Sequence, residues 1–156
     1  MSTLRSLLGL AGWVALALAA GWIGSHWQPG PWYEGLRKPV WNPPAGVLGP
    51  VWTALYLLMG IAAWLVWRRR GFDGASGALS LFAVQLVLNA AWSWLFFGLR
   101  SPGGALVGIL ILWVAILAIV AAFARHHRIA AMLLFPYLAW VSFAAVLNFR
   151  VWQMNA

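Results

Sequence analysis

The run GALVGILILWVAILAIVAAFA, Gly104 to Ala124, contains no charge, no amide and no proline. A hydrocarbon core roughly 30 Å thick needs about 20 apolar residues at 1.5 Å each, so this run has the length of a membrane crossing. Working outward, four more runs of similar length appear: Ser6 to Trp27, Val47 to Trp67, Ala78 to Leu99 and Ile129 to Phe149. The chain as a whole is 64% hydrophobic and 8% charged, with a mean hydropathy of +0.86, more apolar than a water-soluble domain can hide. In lipid only helices and closed barrels satisfy every backbone hydrogen bond, and these runs exceed the tilted strands of a barrel. The sequence therefore predicts an all-α integral membrane protein, a single five-helix bundle over residues 1–156.

The net charge of +8 does not indicate a nucleic-acid partner, because such a surface gathers its basic side chains on one folded face. Here every Lys and Arg falls at a span end or in a loop, as topology determinants and headgroup contacts do. If the spans alternate, Arg5, Arg68, Arg69, Arg70, Arg125 and Arg128 share one side, and Arg37, Lys38, Arg100 and Arg150 the other. That asymmetry favours a multi-pass protein of a bacterial inner membrane with a cytoplasmic N-terminus; an outer membrane stays open as the alternative. Arg5 followed by SLLGLAGWVALALAAGW has features of a cleavable signal, but the apolar run continues to Trp27 and reads as a retained helix. The absence of cysteine removes disulfides, thiolate metal sites and thiol catalysis.

The first connection, Gln28 to about Gly46, is the long one, and Pro29, Pro31, Pro39, Pro43 and Pro44 stiffen it. It reads either as a shaped lid or as a rigid connector. An odd number of spans without visible self-similarity argues against the paired repeats of many transporters. Small residues four apart, Ala17 with Gly21, Ala20 with Gly24 and Gly104 with Gly108, permit close helix approach within one chain or across a homodimer.

No Asp, Glu, Lys, Arg or His lies at the centre of a span, which disfavours pumps and ion-coupled carriers. Glu34 and Asp73 fall in loops on opposite predicted sides, so no acid–base pair forms and conventional catalysis has no constellation. His26, His126 and His127 sit at span ends or in loops; no metal site and no histidine-ligated haem is expected. What remains is aromatic and neutral-polar. Gln85, Asn89, Trp92 and Ser93 recur at helical spacing in the third span, Tyr137, Trp140 and Ala144 in the fifth, and Trp52, Thr53 and Tyr56 in the second. Buried amides either bond neighbouring helices or orient a ligand in a pocket. Among the tryptophans, Trp27, Trp64, Trp67 and Trp152 near span ends suit an interfacial belt. Trp52, Trp92, Trp94 and Trp140 lie deeper or beside polar groups and suit a flat hydrophobic ligand.

Four blocks in order, WYEGLRKPVWNPP, LGPVWTALYLLMG, QLVLNAAWSWLFFG and FPYLAWVSFAAVLNF, resemble the tryptophan-rich sensory protein or translocator protein family (TspO/MBR). The resemblance covers almost the whole chain. It implies a five-helix membrane protein, often a homodimer, that binds porphyrins such as protoporphyrin IX, in some members haem, with no obligatory cofactor. It also implies a role as receptor and regulator, with transmembrane tetrapyrrole transport or light-dependent porphyrin degradation as alternatives. Matched block by block, Tyr33 is the aromatic of the lid, and Trp41, Pro43 and Pro44 are its W-x-P-P turn. Trp52 and Trp140 match the tryptophans of ligand stacking and porphyrin photochemistry, Asn89 and Trp92 match pocket positions on the third helix, and Ala144 a small residue that influences binding. Tyr137 is grouped with them by its stripe. Asn89 and Tyr33 would orient a polar edge of the ligand, and Arg37 or Lys38 would meet a carboxylate. The proposed sterol motif of the animal proteins is broken, because Phe149 stands in its Tyr position.

Overall fold

A computed structural model describes residues 1–156. The chain is helical, without strands, and five stretches are long and apolar enough to cross a membrane: Thr3–Gly24, Ala45–Gly74, Ser76–Gly98, Pro102–His126 and Arg128–Asn155. The elements are α1 (Thr3–Gly24), the single turn α2 (Pro31–Glu34), α3 (Ala45–Gly74), α4 (Ser76–Ser93), α5 (Pro102–His126), α6 (Arg128–Leu133) and α7 (Phe135–Asn155). A π-helical turn, Trp94–Gly98, prolongs α4. Ser2 caps α1 by accepting from the Arg5 N–H at 3.2 Å, and Ser101 caps α5 through the Gly104 N–H at 3.1 Å, each meeting a donor the helix itself leaves free.

The five crossings agree with the expected runs, and their ends differ for identifiable reasons. Arg68, Arg69 and Arg70 do not stop α3; the helix runs through them until Gly71, where φ is 72° and the backbone turns, a conformation glycine adopts without a Cβ clash. The last crossing is two helices: α6 ends at Leu133, and α7 begins at Phe135 with Pro136 in its first turn, where the missing N–H costs nothing.

The small-residue pairs are used inside the chain. A Cβ on Gly60 would lie 2.6 Å from the Val14 Cα, and one on Gly21 2.5 Å from the Tyr56 ring, so α1 and α3 meet backbone to backbone. Gly24 faces Ser93 of α4, and Gly108 is covered by Leu95. Two tryptophan expectations change. Trp67, expected in an interfacial belt, is buried against Gly9 and Phe72 under the Arg5 guanidinium, because α1 approaches α3 closely enough to enclose it. Trp94, expected among the deeper tryptophans, is 42% exposed, since two residues of helix turn it about 200° away from Trp92, which packs against the core.

Candidate functional site

The neutral-polar residues of three helices meet in the middle of the bundle. The Tyr56 hydroxyl of α3 donates to Asn89 Oδ1 at 2.5 Å, Asn89 Nδ2 of α4 donates to the Tyr137 hydroxyl at 2.9 Å, and Tyr137 of α7 donates to Gln85 Oε1 at 2.7 Å. Gln85 Nε2 ends the chain at Met59 Sδ, 3.9 Å away. All five side chains are buried. Of the two roles open to a buried amide, Asn89 serves helix-to-helix bonding: both ends of its carboxamide are committed to phenols. A bonded network of this kind defines one arrangement of the helices, because breaking any link leaves an unpaired group in apolar surroundings.

A layer of aromatic rings lies beside this network, toward the first loop. Trp52, one turn before Tyr56, stacks on it with ring centroids 5.8 Å apart and planes at 28°, and meets Tyr137 edge-on at 6.4 Å. Trp140 lies one turn beyond Tyr137 on α7, 5.5 Å from Phe143, and Phe143 in turn meets Trp41 of the loop at 5.7 Å. Ala144 is half-buried against the core next to them. Trp140 Nε1 is buried and has no hydrogen-bond partner. Trp92, by contrast, donates to Asn148 Oδ1 at 2.9 Å, and Asn148 Nδ2 donates to the Pro102 carbonyl at 2.8 Å. Trp92 therefore ties α4 to α7 rather than offering a free indole.

The first loop is internally bonded and docked. Lys38 Nζ donates to the carbonyls of Tyr33 at 2.8 Å, Leu36 at 3.1 Å and Glu34 at 3.3 Å, and lies 4.7 Å from the Tyr33 ring centre. These bonds use all three ammonium donors, so Lys38 organises the loop and is not free to meet a ligand carboxylate; the Arg37 side chain is exposed. The Tyr33 hydroxyl donates to Asn42 Oδ1 at 3.2 Å, and its ring packs edge-on against Phe96 and Phe97. The π-helical turn carries both phenylalanines, and irregular turns of this type often mark working ends of helices. Pro43 is half-buried, and Pro44 is the N-cap of α3. Far along the chain, Asn155 Nδ2 donates to the Arg37 carbonyl at 2.8 Å while its Oδ1 accepts from the Arg37 N–H at 2.9 Å. The last turn of α7 thus clasps the loop.

Phe143, Asn148 and Asn155 were not singled out from sequence. The signal was present for the two amides: Tyr137, Val141, Ala144, Asn148, Val151 and Asn155 follow the alternating four-and-three spacing of one helix face. Phe143 lies off that face, and only its packing between Trp41 and Trp140 reveals it. Two cavities, of about 300 and 160 Å3, are lined by residues at the opposite end of the bundle and touch none of the expected site residues.

The sequence profile of the TspO/MBR family matches residues 13–153. The chain belongs to that family. It is 44% identical to the tryptophan-rich protein TspO of Chlorobaculum tepidum, over 97% of this chain and 98% of that protein. It is 45% identical to the human translocator protein, over 85% of this chain and 82% of that one. With the tryptophan-rich sensory protein of Cereibacter sphaeroides it shares 37% identity over 85% and 82% of the two chains. Together with the five crossings, membership makes this TspO/MBR protein an integral, multi-pass membrane protein.

Proposed function

We propose that this protein is a membrane receptor for porphyrins, protoporphyrin IX or haem, held in the aromatic layer between Trp52 and Trp140 beneath the first loop. The observation that carries the reading is the Trp140 indole N–H, a buried donor without an acceptor. A buried polar group left unpaired calls for an explanation, and a ligand that brings an acceptor to Trp140 while covering flat apolar rings supplies one. Aromatic faces and an indole N–H together suit a planar, mostly apolar molecule with a few polar atoms. The ladder Trp41–Phe143–Trp140 makes the loop a lid over this layer, and entry requires Trp41 to lift from Phe143. No Asp, Glu, Lys, Arg or His lies at the centre of a crossing to couple transport to an ion, which supports a regulatory output over ion-driven transport. On this reading the sites are Tyr33, Trp41, Pro43 and Pro44 in the lid, Trp52, Trp140 and Ala144 in the layer, with Tyr137, Asn89 and Trp92 supporting it.

A dark titration of the purified protein with protoporphyrin IX, followed by tryptophan fluorescence, tests the proposal. Saturable quenching at low micromolar ligand is expected. Trp52→Phe/Trp140→Phe should weaken it by more than about tenfold, at roughly 1 kcal/mol for each lost aromatic contact. Linear quenching that is the same in the variant would show partitioning into the micelle and refute the pocket. Illuminating the loaded protein addresses the stacked Trp52–Tyr56 pair as an oxidisable partner of an excited porphyrin: bleaching that needs light and is lost in Trp52→Phe would add degradation to binding.

A further inference from the structure

The end of the bundle opposite the lid carries Arg5, Arg68, Arg69, Arg70, Arg125 and Arg128, with Asp73 its single carboxylate side chain. Two cavities open there, and Arg68 lines both. One, of about 300 Å3, is bounded by Ser2, Ser6, Leu7, Trp64 and Arg68; the other, of about 160 Å3, by Leu65, Arg68, Arg69 and His127. The surroundings hold the cations in place. The Arg68 guanidinium lies 4.9 Å over the Trp64 ring, whose Nε1 donates to the Ser6 carbonyl at 2.8 Å, and Arg69 donates to the His126 carbonyl at 3.0 Å. His127 Nδ1 accepts from the Ala130 N–H at 3.2 Å. Its neutral form therefore carries the proton on Nε2, so this cavity-lining residue keeps a donor even when uncharged.

We propose that the crevice between α3 and α6 binds the phosphate of an anionic membrane phospholipid, with Arg68, Arg69 and His127 as its donors and Leu65 beneath them against the first methylenes of an acyl chain. Guanidinium groups match phosphate oxygens with paired donors, and the site lacks a carboxylate that would occupy them instead. The apolar floor distinguishes a lipid from a free anion. Leu65 lies one turn deeper on α3 than Arg68 and Arg69, so the site changes from cationic to apolar along the direction in which a lipid changes from headgroup to chain. A zwitterionic headgroup would bring a second cation toward the same arginines and is selected against. The proposal is independent of porphyrin binding, since the two sites share no residue.

The test is native mass spectrometry of the detergent-solubilised full chain equilibrated with dioleoyl phosphatidylglycerol, with dioleoyl phosphatidylcholine, and with inorganic phosphate as competitor. The expected result is retention of phosphatidylglycerol over phosphatidylcholine, weakened about tenfold or more in Arg68→Gln/Arg69→Gln. Arg70→Gln/Arg125→Gln removes the same charge from the same end without touching either cavity, and should bind like the unaltered protein. Equal loss in both double variants would overturn the site in favour of a general field of positive charge. Displacement by millimolar inorganic phosphate would overturn the lipid in favour of a soluble anion. Circular dichroism of each variant keeps loss of fold separate from loss of binding.

Discussion

The polar layer in mid-bundle and the aromatic layer next to it use similar side chains on the same helices, yet one is closed on itself and the other is not. Tyr56, Asn89, Tyr137 and Gln85 bond to one another in sequence until every link has a partner. Trp140, one turn along α7 from Tyr137, keeps a buried donor with no acceptor. In apolar surroundings an unpaired donor is a standing cost, so the first layer holds the helices together, and on the proposed reading the second takes a ligand. Tryptophans divide in the same way. Trp64, Trp92 and Trp113 donate to Ser6, Asn148 and Ser142 and are structural ties. Trp67 resembles Trp140 in having no acceptor, but it is sealed between α1 and α3 by a contact with Gly9, with no lid above it.

The comparison breaks first at Asn89. Asn89→Leu keeps the volume and removes the acceptor of Tyr56, which is left buried and unpaired; a loss of about 1–3 kcal/mol in unfolding free energy is expected. Thermal melts in detergent measure it. Trp140→Phe removes a donor that had no partner, so the same melts should barely move while porphyrin affinity falls severalfold. If both variants lost stability alike and neither changed affinity, the aromatic layer would be packing and the distinction would collapse.

How far these layers were legible in the sequence follows from what each needs. The crossings were legible because charges and prolines punctuate runs of membrane length, and Gln85, Asn89, Tyr137 and Tyr56 were marked by helical spacing alone. Their pairing was not, since a stripe says which way a residue faces on its own helix and nothing of which helix it meets. Lys38 shows the same limit: its charge suggested a ligand carboxylate, whereas the fold of the loop turns it onto three carbonyls of its own segment. The clasp made by Asn155 was hidden for a simpler reason, its partner Arg37 being distant in sequence. The buried Trp67 depended on Gly9, a glycine whose importance appears only once α1 lies on α3.

Asn155 sharpens the comparison at the lid. Asn155→Ala removes two hydrogen bonds to the backbone of one exposed residue, Arg37, each modest in net terms, while leaving the aromatic ladder and the polar layer untouched. Protoporphyrin release, followed by stopped-flow fluorescence, should accelerate about threefold to tenfold if the clasp holds the lid down, with no change in melting temperature. An unchanged release rate would mean that Trp41 and Phe143 alone set the opening.

The smallest effect belongs to the arginine-rich end, where polar groups meet water instead of one another. Burial, then the charges of Arg69 and Arg68, hold the His127 pKa below its ordinary value of 6.5, against a smaller backbone hydrogen bond that raises it. The folded chain therefore binds fewer protons at this imidazole than the unfolded chain between that lowered value and 6.5, and in that window stability falls as pH falls. Below the window both states are protonated and the dependence ends. Protonation would also end acceptance of the Ala130 N–H at the start of α6, so the slope should vanish in His127→Asn, which can still accept that bond. Because the ring is only partly buried and solvent screens the guanidinium groups, the change in melting temperature across the window should be well below that of Asn89→Leu. A slope surviving His127→Asn would place the titrating group elsewhere at this end.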